Sequence, residues 1–293
     1  MLLGEHAVLH GRRALVASVN QRLTVTVTPR TDHQLEIRSA LGTHCTPLDQ
    51  PEAHPKFRFI LAAAAATPIA SGGLTIEVSS EFSDQIGFGS SAAVTVATVA
   101  ALRRQAGLDT DPREVFLAAR AIIRSVQGRG SGADVAASVY GGIVLYRADP
   151  LELDPLPVHP PLTAVYSGSK LPTPEVIRIV EERRAQEPER FARLYDTMDH
   201  CSGEAAEAAR RGDWKAVGQQ LDIGQDVMEA MELSNAALDA IIRALRADPG
   251  IQGAKISGSG LGDCAIGLGR PAADFPFPIM PVEPAATGLR LDT

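Results

Sequence analysis

A short stretch, GFGSSAA at residues 87–93, combines the residue types that can bind phosphate. Gly87 and Gly89 permit positive φ angles and a close approach of the backbone to a ligand. Ser90 and Ser91 stand where a helix is expected to begin, and the N–H groups and dipole of a helix N-terminus favour an anion. The stretch therefore predicts a phosphate site, with a serine that simply opens a core helix as the alternative.

Two common nucleotide-binding motifs do not describe this stretch. No GxxxxGK[ST] occurs in the chain, which excludes a Walker-type P-loop. The dinucleotide fingerprint GxGxxG fails here because Ala92 stands at its last position. A phosphate site would have to be of another kind.

An acidic residue lies in a second glycine-rich stretch, GRGSGADVAASVYGG at residues 128–142. Asp134 follows the flexible glycines and precedes a predicted strand. A carboxylate held there could accept the proton of a hydroxyl group whose oxygen attacks a phosphorus atom. Taken alone, such an aspartate is also typical of a turn or a helix cap.

A third stretch, KISGSGLGDC at residues 255–264, places a glycine-serine turn between two apolar segments. Its backbone could contact a phosphate or a substrate. A simple β-hairpin turn would need the same glycines, so this signal is weak by itself.

Composition excludes several classes of partner. The 293 residues include 28 Lys plus Arg and 35 Asp plus Glu, for a net charge of −7, and only 4% are aromatic. Without a basic run or a stacking surface, nucleic acid and anionic membranes are poor partners. The most apolar window, residues 57–76, is interrupted by Arg58, Pro68 and two glycines, short of the roughly 18 to 20 apolar residues of a membrane span. We expect a soluble protein.

The cysteines and the first residues point to a cytoplasmic location. Cys45, Cys201 and Cys264 are far apart and lack CxxC spacing, so neither a disulfide framework nor a zinc site is expected. The N-terminal sequence has no basic region and meets Glu5 almost at once, which argues against a signal peptide.

Hydrophobic periodicity predicts an α+β protein with strands and helices in both halves. Alternation in RLTVTVTPR and GGLTIEVSS predicts half-buried strands. The run that begins at Ser90 or Ser91 and ends near Gly107 predicts a largely buried helix, and the next helix has Asp111 as N-cap and Pro112 at its first position. Further helices are predicted at 174–186, 189–211, 214–231 and 235–246, followed by a strand, a turn and a strand over 254–269. Five prolines in residues 148–162 predict a connector and a division into domains 1–150 and 151–293.

The three stretches, together with GEHAVLHG at residues 4–11, resemble in order and separation the motifs of the GHMP kinases, the family that includes galactokinase, homoserine kinase, mevalonate kinase and phosphomevalonate kinase. The likeness spans nearly the whole chain. GEHAVLHG followed by ALVASVN looks most like the mevalonate kinases, and SGSKLPTPEVI is also similar to phosphomevalonate kinases. The resemblance implies a two-lobed α+β fold, with an N-terminal nucleotide-binding lobe like ribosomal protein S5 domain 2 and a ferredoxin-like, helix-rich C-terminal substrate or lid lobe.

The resemblance also implies an enzyme that uses ATP and Mg²⁺ to phosphorylate mevalonate at its 5-hydroxyl group, or to phosphorylate phosphomevalonate. Asp134 matches the catalytic base, and Ser91 matches the serine that helps to hold Mg²⁺. The residues that match the ATP-binding loop are Gly87, Phe88, Gly89, Ser90, Ser91 and Ala92. The residues expected beside the substrate are Glu5, His6, Gly258, Ser259 and Gly260.

The chain departs from the family pattern at two positions. Mevalonate kinases carry a lysine about six residues before the glutamate of GEH, and that position falls ahead of Met1. We expect that the chain begins late, because residues 1–4 are typical of the tail of a strand. Family members often carry a metal-binding glutamate eleven residues before the base, and Ile123 stands there. Mg²⁺ would then depend on Ser91, ATP oxygens and water.

Other functions on the same scaffold stay open. They are a phosphomevalonate kinase, a lyase similar to mevalonate diphosphate decarboxylase, and a non-catalytic homologue that binds a nucleotide or a metabolite. If the substrate is already phosphorylated, the candidates for its second anion are Lys170, Arg129 and Arg12. Asp263 stands where many family members have glycine. The alanine-rich helices leave room for a homodimer.

Overall fold

The computed structural model describes residues 1–69, 72–81, 89–128, 130–272 and 274–292. Within these residues the chain forms eleven strands and eight α-helices. The strands are β1 (Ala14–Ala17), β2 (Leu23–Arg30), β3 (Gln34–Ser39), β4 (Gly42–Pro47), β5 (Gly73–Ser80), β6 (Ile143–Ala148), β7 (Leu151–Leu156), β8 (Leu162–Tyr166), β9 (Ile251–Ser257), β10 (Cys264–Gly269) and β11 (Ile279–Met280). The helices are α1 (Arg58–Ala66), α2 (Ser90–Gln105), α3 (Pro112–Gln127), α4 (Ala133–Tyr140), α5 (Thr173–Gln186), α6 (Pro188–Arg210), α7 (Trp214–Ala230) and α8 (Ala236–Ala247).

The chain divides into two compact units, each with its own sheet and helices. The inserted unit comprises Gln21–Tyr140 and Thr287–Thr293, and the flanking unit comprises Met1–Asn20 and Gly141–Ala286. Both contain strands and helices, so the predicted α+β class is confirmed. Among the helices of the described ranges, none has the length and apolar character needed to cross a bilayer.

The inserted unit is built on a four-stranded sheet with the order β2-β5-β3-β4. β5 runs antiparallel to β2 and parallel to β3. The predicted alternation of β2 is confirmed, since Thr24, Thr26 and Thr28 are exposed between half-buried apolar neighbours. β5 is buried along its first four residues. Helix α2 packs against β2 and against α1 and α3, and this fixes the N-terminal end of α2 relative to the sheet.

The flanking unit contains a second four-stranded sheet with the order β11-β8-β10-β9, in which all neighbours are antiparallel. If these four strands are numbered 1 to 4 along the chain, their order in the sheet is 4-1-3-2. This is the strand order of a split βαβ arrangement of the ferredoxin-like type. Helices α5 to α8 all lie between β8 and β9 in the sequence, which accounts for the helix-rich character of this unit. The predicted strand, turn and strand near the C-terminus are confirmed as β9, the loop at residues 258–263, and β10.

The helix predictions are confirmed, and their ends follow from local chemistry. In the region after residue 173, each helix end differs from its predicted position by no more than one residue. At the start of α3, the Asp111 side chain accepts a hydrogen bond from the Arg113 N–H group at 2.8 Å, with Pro112 at the first helical position. Gly128 ends the same helix in a left-handed conformation, with φ of +70°.

The proline-rich segment is not a connector, and the expectation of one is corrected. β7 pairs with β6 from Ile143↔Leu156 to Ala148↔Leu151, and β6 also pairs with β1. Pro155 lies in β7, the edge strand of the β1-β6-β7 sheet, and edge strands are where sheets tolerate proline. Both β6 and β7 belong to the flanking unit. A functional division at residue 150 stays a prediction.

Loss of the α3 cap should lower stability by a small and measurable amount. Asp111→Ala removes the acceptor for the Arg113 N–H group, and we expect the free energy of unfolding to fall by about 1 kcal/mol. Asp111→Asn keeps an acceptor in the same place and should remain within a few tenths of the parent. Urea unfolding of the three proteins measures the difference. Equal stability of the alanine and asparagine variants would show that the cap contributes nothing.

Candidate active site

The first turn of α2 has an entrance suited to an anion. Gly89 is the N-cap, in a left-handed conformation with φ of +74°, and its carbonyl oxygen accepts from the N–H groups of Ala92 and Ala93 at 2.9 and 3.0 Å. Ser90 and Ser91 are partly exposed. The N–H groups of Ser90 and Ser91 come too early in the helix for an acceptor within it, and a glycine N-cap has no side chain to supply one. The predicted helix start, at Ser90 or Ser91, is confirmed.

Asp134 lies in the first turn of a second helix, α4. The glycines before it take left-handed or related conformations, with φ of +151° at Gly130 and +91° at Gly132. The Ser131 hydroxyl accepts from the Ala133 N–H group at 3.2 Å and so helps to start the helix. Asp134 is exposed between the buried residues Ala133 and Val135, so its carboxylate points away from the core and is accessible.

The structure brings these two helix starts together. A Cβ atom built on Gly89 would lie 3.4 Å from Cβ, 3.5 Å from Cγ and 3.6 Å from Oδ2 of Asp134. These are ordinary van der Waals distances, so the N-cap of α2 and the Asp134 side chain are direct neighbours. We call Gly89, Ser90, Ser91 and Asp134 the helix-entrance cluster. Gly87 and Phe88 of the predicted loop, as well as Arg129, lie outside the described residues.

Ile123 lies beneath this region and provides no metal ligand. It is buried, at 7% exposure, and its Cγ2 atom would be 3.3 Å from a Cβ atom on Gly130. The residue therefore supports the glycine loop before Asp134 by apolar packing. Among the described residues, no group of three or more His, Cys, Asp or Glu side chains could hold a metal ion.

In the flanking unit, Glu5 forms a buried ion pair that the sequence analysis did not predict. Lys255 Nζ lies 2.5 Å from Glu5 Oε1, and the two side chains are 0% and 2% exposed. The ammonium group also donates to the Ile256 carbonyl oxygen. Glu5 Oε2 is buried and has no hydrogen-bond partner among the described residues. Burial lowers the pKa of Lys255, while Glu5 opposes that shift. The sequence does contain one signal for this pair. Lys255 is the single charged residue in the strand sequence GAKIS.

His6 connects the first motif to the third glycine-rich stretch. Its Nε2 atom is 2.8 Å from the Ser259 carbonyl oxygen, and since a carbonyl only accepts, Nε2 carries the proton. Burial lowers the pKa of His6 below its ordinary 6.5, so the ring is neutral at physiological pH. The residue has a φ of +58°, a conformation that costs energy and that often marks functional sites. Glu5 and His6 are thus both tied to residues 255–259.

The loop at residues 258–263 is held by the surrounding chain from two sides. Leu261 donates to the Leu233 carbonyl oxygen at 2.7 Å, and Asp263 donates to the Ser169 carbonyl oxygen at 2.7 Å. At Gly260, with φ of +86°, a Cβ atom would lie only 2.7 Å from the Leu233 carbonyl oxygen, so only glycine fits. Gly258, Ser259 and Gly260 therefore form a rigid turn next to His6.

The remaining candidate side chains have partners of their own. Arg12 pairs with Asp196 at 2.7 Å and Lys170 pairs with Asp263 at 3.2 Å. His10, which the sequence offered no reason to select, stacks on Tyr195 with ring centroids 4.9 Å apart and lies 2.8 Å from Glu181. Cys264 is buried, and burial together with Asp263 raises the pKa of its thiol to about 12. Its thiol is therefore protonated at neutral pH.

Comparison with known proteins places the chain among small-molecule kinases. Two family models match, GHMP kinases N terminal domain over residues 57–142 and GHMP kinases C terminal over residues 205–275. Mevalonate kinase of Archaeoglobus fulgidus is 33% identical over 100% of this chain and 96% of its own length. Mevalonate kinase of Methanothermobacter thermautotrophicus is 30% identical, covering 91% of this chain and 86% of its own. The crystal structure of L. major mevalonate kinase with R-mevalonate is 28% identical, with a TM-score of 0.74, and covers 93% of this chain and 85% of its own.

The buried pair of Lys255 and Glu5 should behave as a coupled unit in stability measurements. Lys255→Met or Glu5→Gln leaves one buried charge without its counterion, and each is expected to lower the free energy of unfolding by about 3–5 kcal/mol. The double variant should lose clearly less than the sum. Chemical unfolding of the four proteins measures the coupling. A parallel cycle on the exposed pair of Arg178 and Glu182 should give only about 0.3–0.5 kcal/mol. Simple additivity at Lys255 and Glu5 would contradict the pairing.

Burial of neutral His6 predicts a dependence of stability on pH. Because the pKa of His6 is lowered from 6.5, the unfolded chain takes up a proton that the folded chain excludes, and stability falls as the pH drops below about 6.5. His6→Asn tolerates the left-handed backbone and removes this proton uptake. The difference in unfolding free energy between parent and variant should therefore shrink as the pH is lowered. His200→Gln, an exposed change on α6, should keep the parent's pH dependence. A constant difference for His6→Asn would refute the assignment.

Proposed function

Because the chain belongs to the GHMP kinase family, we propose that it transfers the γ-phosphoryl group of ATP to the 5-hydroxyl group of mevalonate. The observation that carries this proposal is the Asp134 carboxylate next to Gly89 at the N-terminus of α2. GHMP kinases use ATP as the phosphate donor. The similarity to mevalonate kinases over the whole chain supports mevalonate as the acceptor.

The phosphates of ATP are bound by the entrance of α2. The N–H groups of the first turn, at Ser90 and Ser91, donate to phosphate oxygens, and the positive end of the helix dipole adds a favourable field. Gly89 supplies the left-handed backbone, with φ of +74°, from which the helix starts. Ala92 belongs to the same predicted loop, and the loop residues Gly87 and Phe88 lie outside the described residues.

Mg²⁺ fits the chemistry of the residues at this entrance. Oxygen atoms are its preferred ligands, and Ser91 supplies a hydroxyl group there. Because Ile123 offers no ligand, Ser91 would hold the cation together with ATP oxygens and water. When bound, the cation offsets the negative charge of the phosphates.

Asp134 performs the proton transfer. As the acceptor hydroxyl oxygen forms its bond to the γ-phosphorus, the bond from that phosphorus to the β,γ-bridging oxygen breaks and ADP leaves. The hydroxyl proton passes to the carboxylate of Asp134, which is exposed in the first turn of α4. The N–H groups of α2 stabilise the charge that develops on the transferred group.

The acceptor is held by the flanking unit's motif residues. Glu5, His6, Gly258, Ser259 and Gly260 bind it. The ion pair of Glu5 with Lys255 and the hydrogen bond of His6 to Ser259 fix these residues before the acceptor arrives. Preorganisation of this kind lowers the cost of binding.

We place the enzyme in the cytoplasm, where ATP is available and thiols stay reduced. Cys45, Cys201 and Cys264 are all free thiols. A homodimer formed through the alanine-rich helices is a further proposal, and analytical ultracentrifugation would test it.

Measurement of ADP release tests the proposed reaction. The protein is incubated with Mg-ATP and separately with mevalonate, phosphomevalonate, homoserine and galactose. We expect mevalonate to give the largest kcat/KM, with formation of phosphomevalonate and no release of CO₂. ATP binding without acceptor-dependent ADP release, or a larger signal with another acceptor, would overturn the proposal.

Replacement of Asp134 separates catalysis from nucleotide binding. Asp134→Asn keeps the shape of the side chain but removes the proton acceptor, so we expect kcat to fall by about 10²–10⁴-fold. The dissociation constant of ATP should stay within about threefold, because the α2 entrance is intact. Glu114→Gln, an exposed carboxylate on α3, is the matched control and should leave kcat unchanged. Parent-like turnover in Asp134→Asn would exclude it as the base.

A further inference from the structure

The third glycine-rich loop ends in an acidic residue with a constrained backbone. Asp263 has a φ of +66°, in the left-handed region that aspartate tolerates better than most residues. Its N–H group donates to the Ser169 carbonyl oxygen at 2.7 Å, and its carbonyl oxygen accepts from the Ser167 N–H group at 2.8 Å. These bonds hold the side chain in a defined direction.

The Asp263 carboxylate lies between a cation and the glycine loop. Oδ2 is 3.2 Å from Lys170 Nζ, and the same oxygen would be 3.7 Å from a Cβ atom on Gly258. The Asp263 side chain is 13% exposed and that of Lys170 is 33% exposed. The neighbouring Cys264 thiol is neutral, because burial and Asp263 raise its pKa to about 12. Asp263 and Lys170 therefore form a charge-balanced pair at the loop, and the N-terminal ammonium group lies nearby, 3.2 Å from the Ser257 hydroxyl group.

This arrangement works against a phosphate at the loop. Backbone N–H groups of a glycine-rich turn favour an anion, and a nearby lysine would add to that attraction. Here Asp263 engages the ammonium group of Lys170 and places a negative charge beside Gly258. Like charges across a binding surface disfavour the wrong ligand strongly. Arg12, another cation considered for a second anion, pairs with Asp196 in a more exposed ion pair that is not part of this loop.

We propose that Asp263, through its pairing with Lys170, makes the acceptor site discriminate against phosphorylated ligands. This inference rests on the proposed function and on loop 258–260 binding the acceptor. Mevalonate and its 5-phosphate share the carboxylate and differ at the 5-oxygen, so the discrimination concerns the phosphate alone. Asp263 thereby excludes a phosphorylated acceptor and also favours release of the phosphorylated product.

Product inhibition measures this effect directly. The inhibition constant of mevalonate 5-phosphate against mevalonate is determined at fixed Mg-ATP for the parent and for Asp263→Asn, which keeps the side-chain shape and tolerates the left-handed backbone. We expect the inhibition constant to fall about tenfold or more in the variant, with the KM of mevalonate changed less than about threefold. Titration calorimetry of each protein with mevalonate 5-phosphate should show the same shift without turnover.

Two further variants test whether the change in the inhibition constant comes from the pair of Asp263 and Lys170. Asp263→Asn with Lys170→Met should lose most of the gain, because the released ammonium group is what binds the phosphate. Asp196→Asn releases Arg12 in the more exposed pair and should leave the inhibition constant unchanged. An unchanged inhibition constant in Asp263→Asn, an equal gain in Asp196→Asn, or the full gain retained in the double variant would overturn the inference. Absence of mevalonate-dependent ADP release by the parent would instead refute the proposed function.

Discussion

The close approach of Gly89 to Asp134 is the constraint on which the proposed chemistry depends. A Cβ atom on Gly89 would lie in ordinary van der Waals contact with Asp134, 3.4 to 3.6 Å away, and the φ of +74° at Gly89 is the feature that favours glycine there. A helix N-terminus, which attracts anions, thus lies beside a carboxylate, which accepts protons. The Asp134 carboxylate would repel a phosphate placed directly on it, so the phosphate and the acid need separate positions. Placed side by side, they suit the two parts of a phosphoryl transfer.

The flanking unit depends on a different interaction, the buried contact of Lys255 with Glu5. Taking both charges out of water is costly, and the pair is tolerated only because the two groups are in direct contact. Together with the His6 bond to Ser259, it joins the first residues of the chain to a loop more than 250 positions away. The unsatisfied Oε2 of Glu5 is an exception to the rule that buried polar atoms are hydrogen-bonded.

The positions that depart from the family pattern have different surroundings in the structure. Ile123 fits its apolar surroundings under the glycines before Asp134, so the position is well packed and simply lacks a ligand. Asp263, for which the sequence offered no physical account, has defined partners in Lys170 and in the backbone of residues 167–169. The expected strand character of the first residues agrees with the bridge between Leu3 and Leu15.

Local sequence signals were sufficient for the choice of motifs and for part of the elements. Caps, prolines and glycines act within a few residues, so the start of α2 at Ser90 or Ser91, the start of α3 and the helices after residue 173 followed from the sequence alone. The helix α4, which carries Asp134, and the strands β3 and β4 were not predicted. Only the tertiary structure decided which distant residues meet. It paired residues 151–156 with β6 although their prolines suggested a connector, and it placed Lys255 on Glu5. The physical reason is that an ion pair or a strand pairing depends on how the whole chain folds. The separation of two residues along the sequence does not determine the distance between them in space.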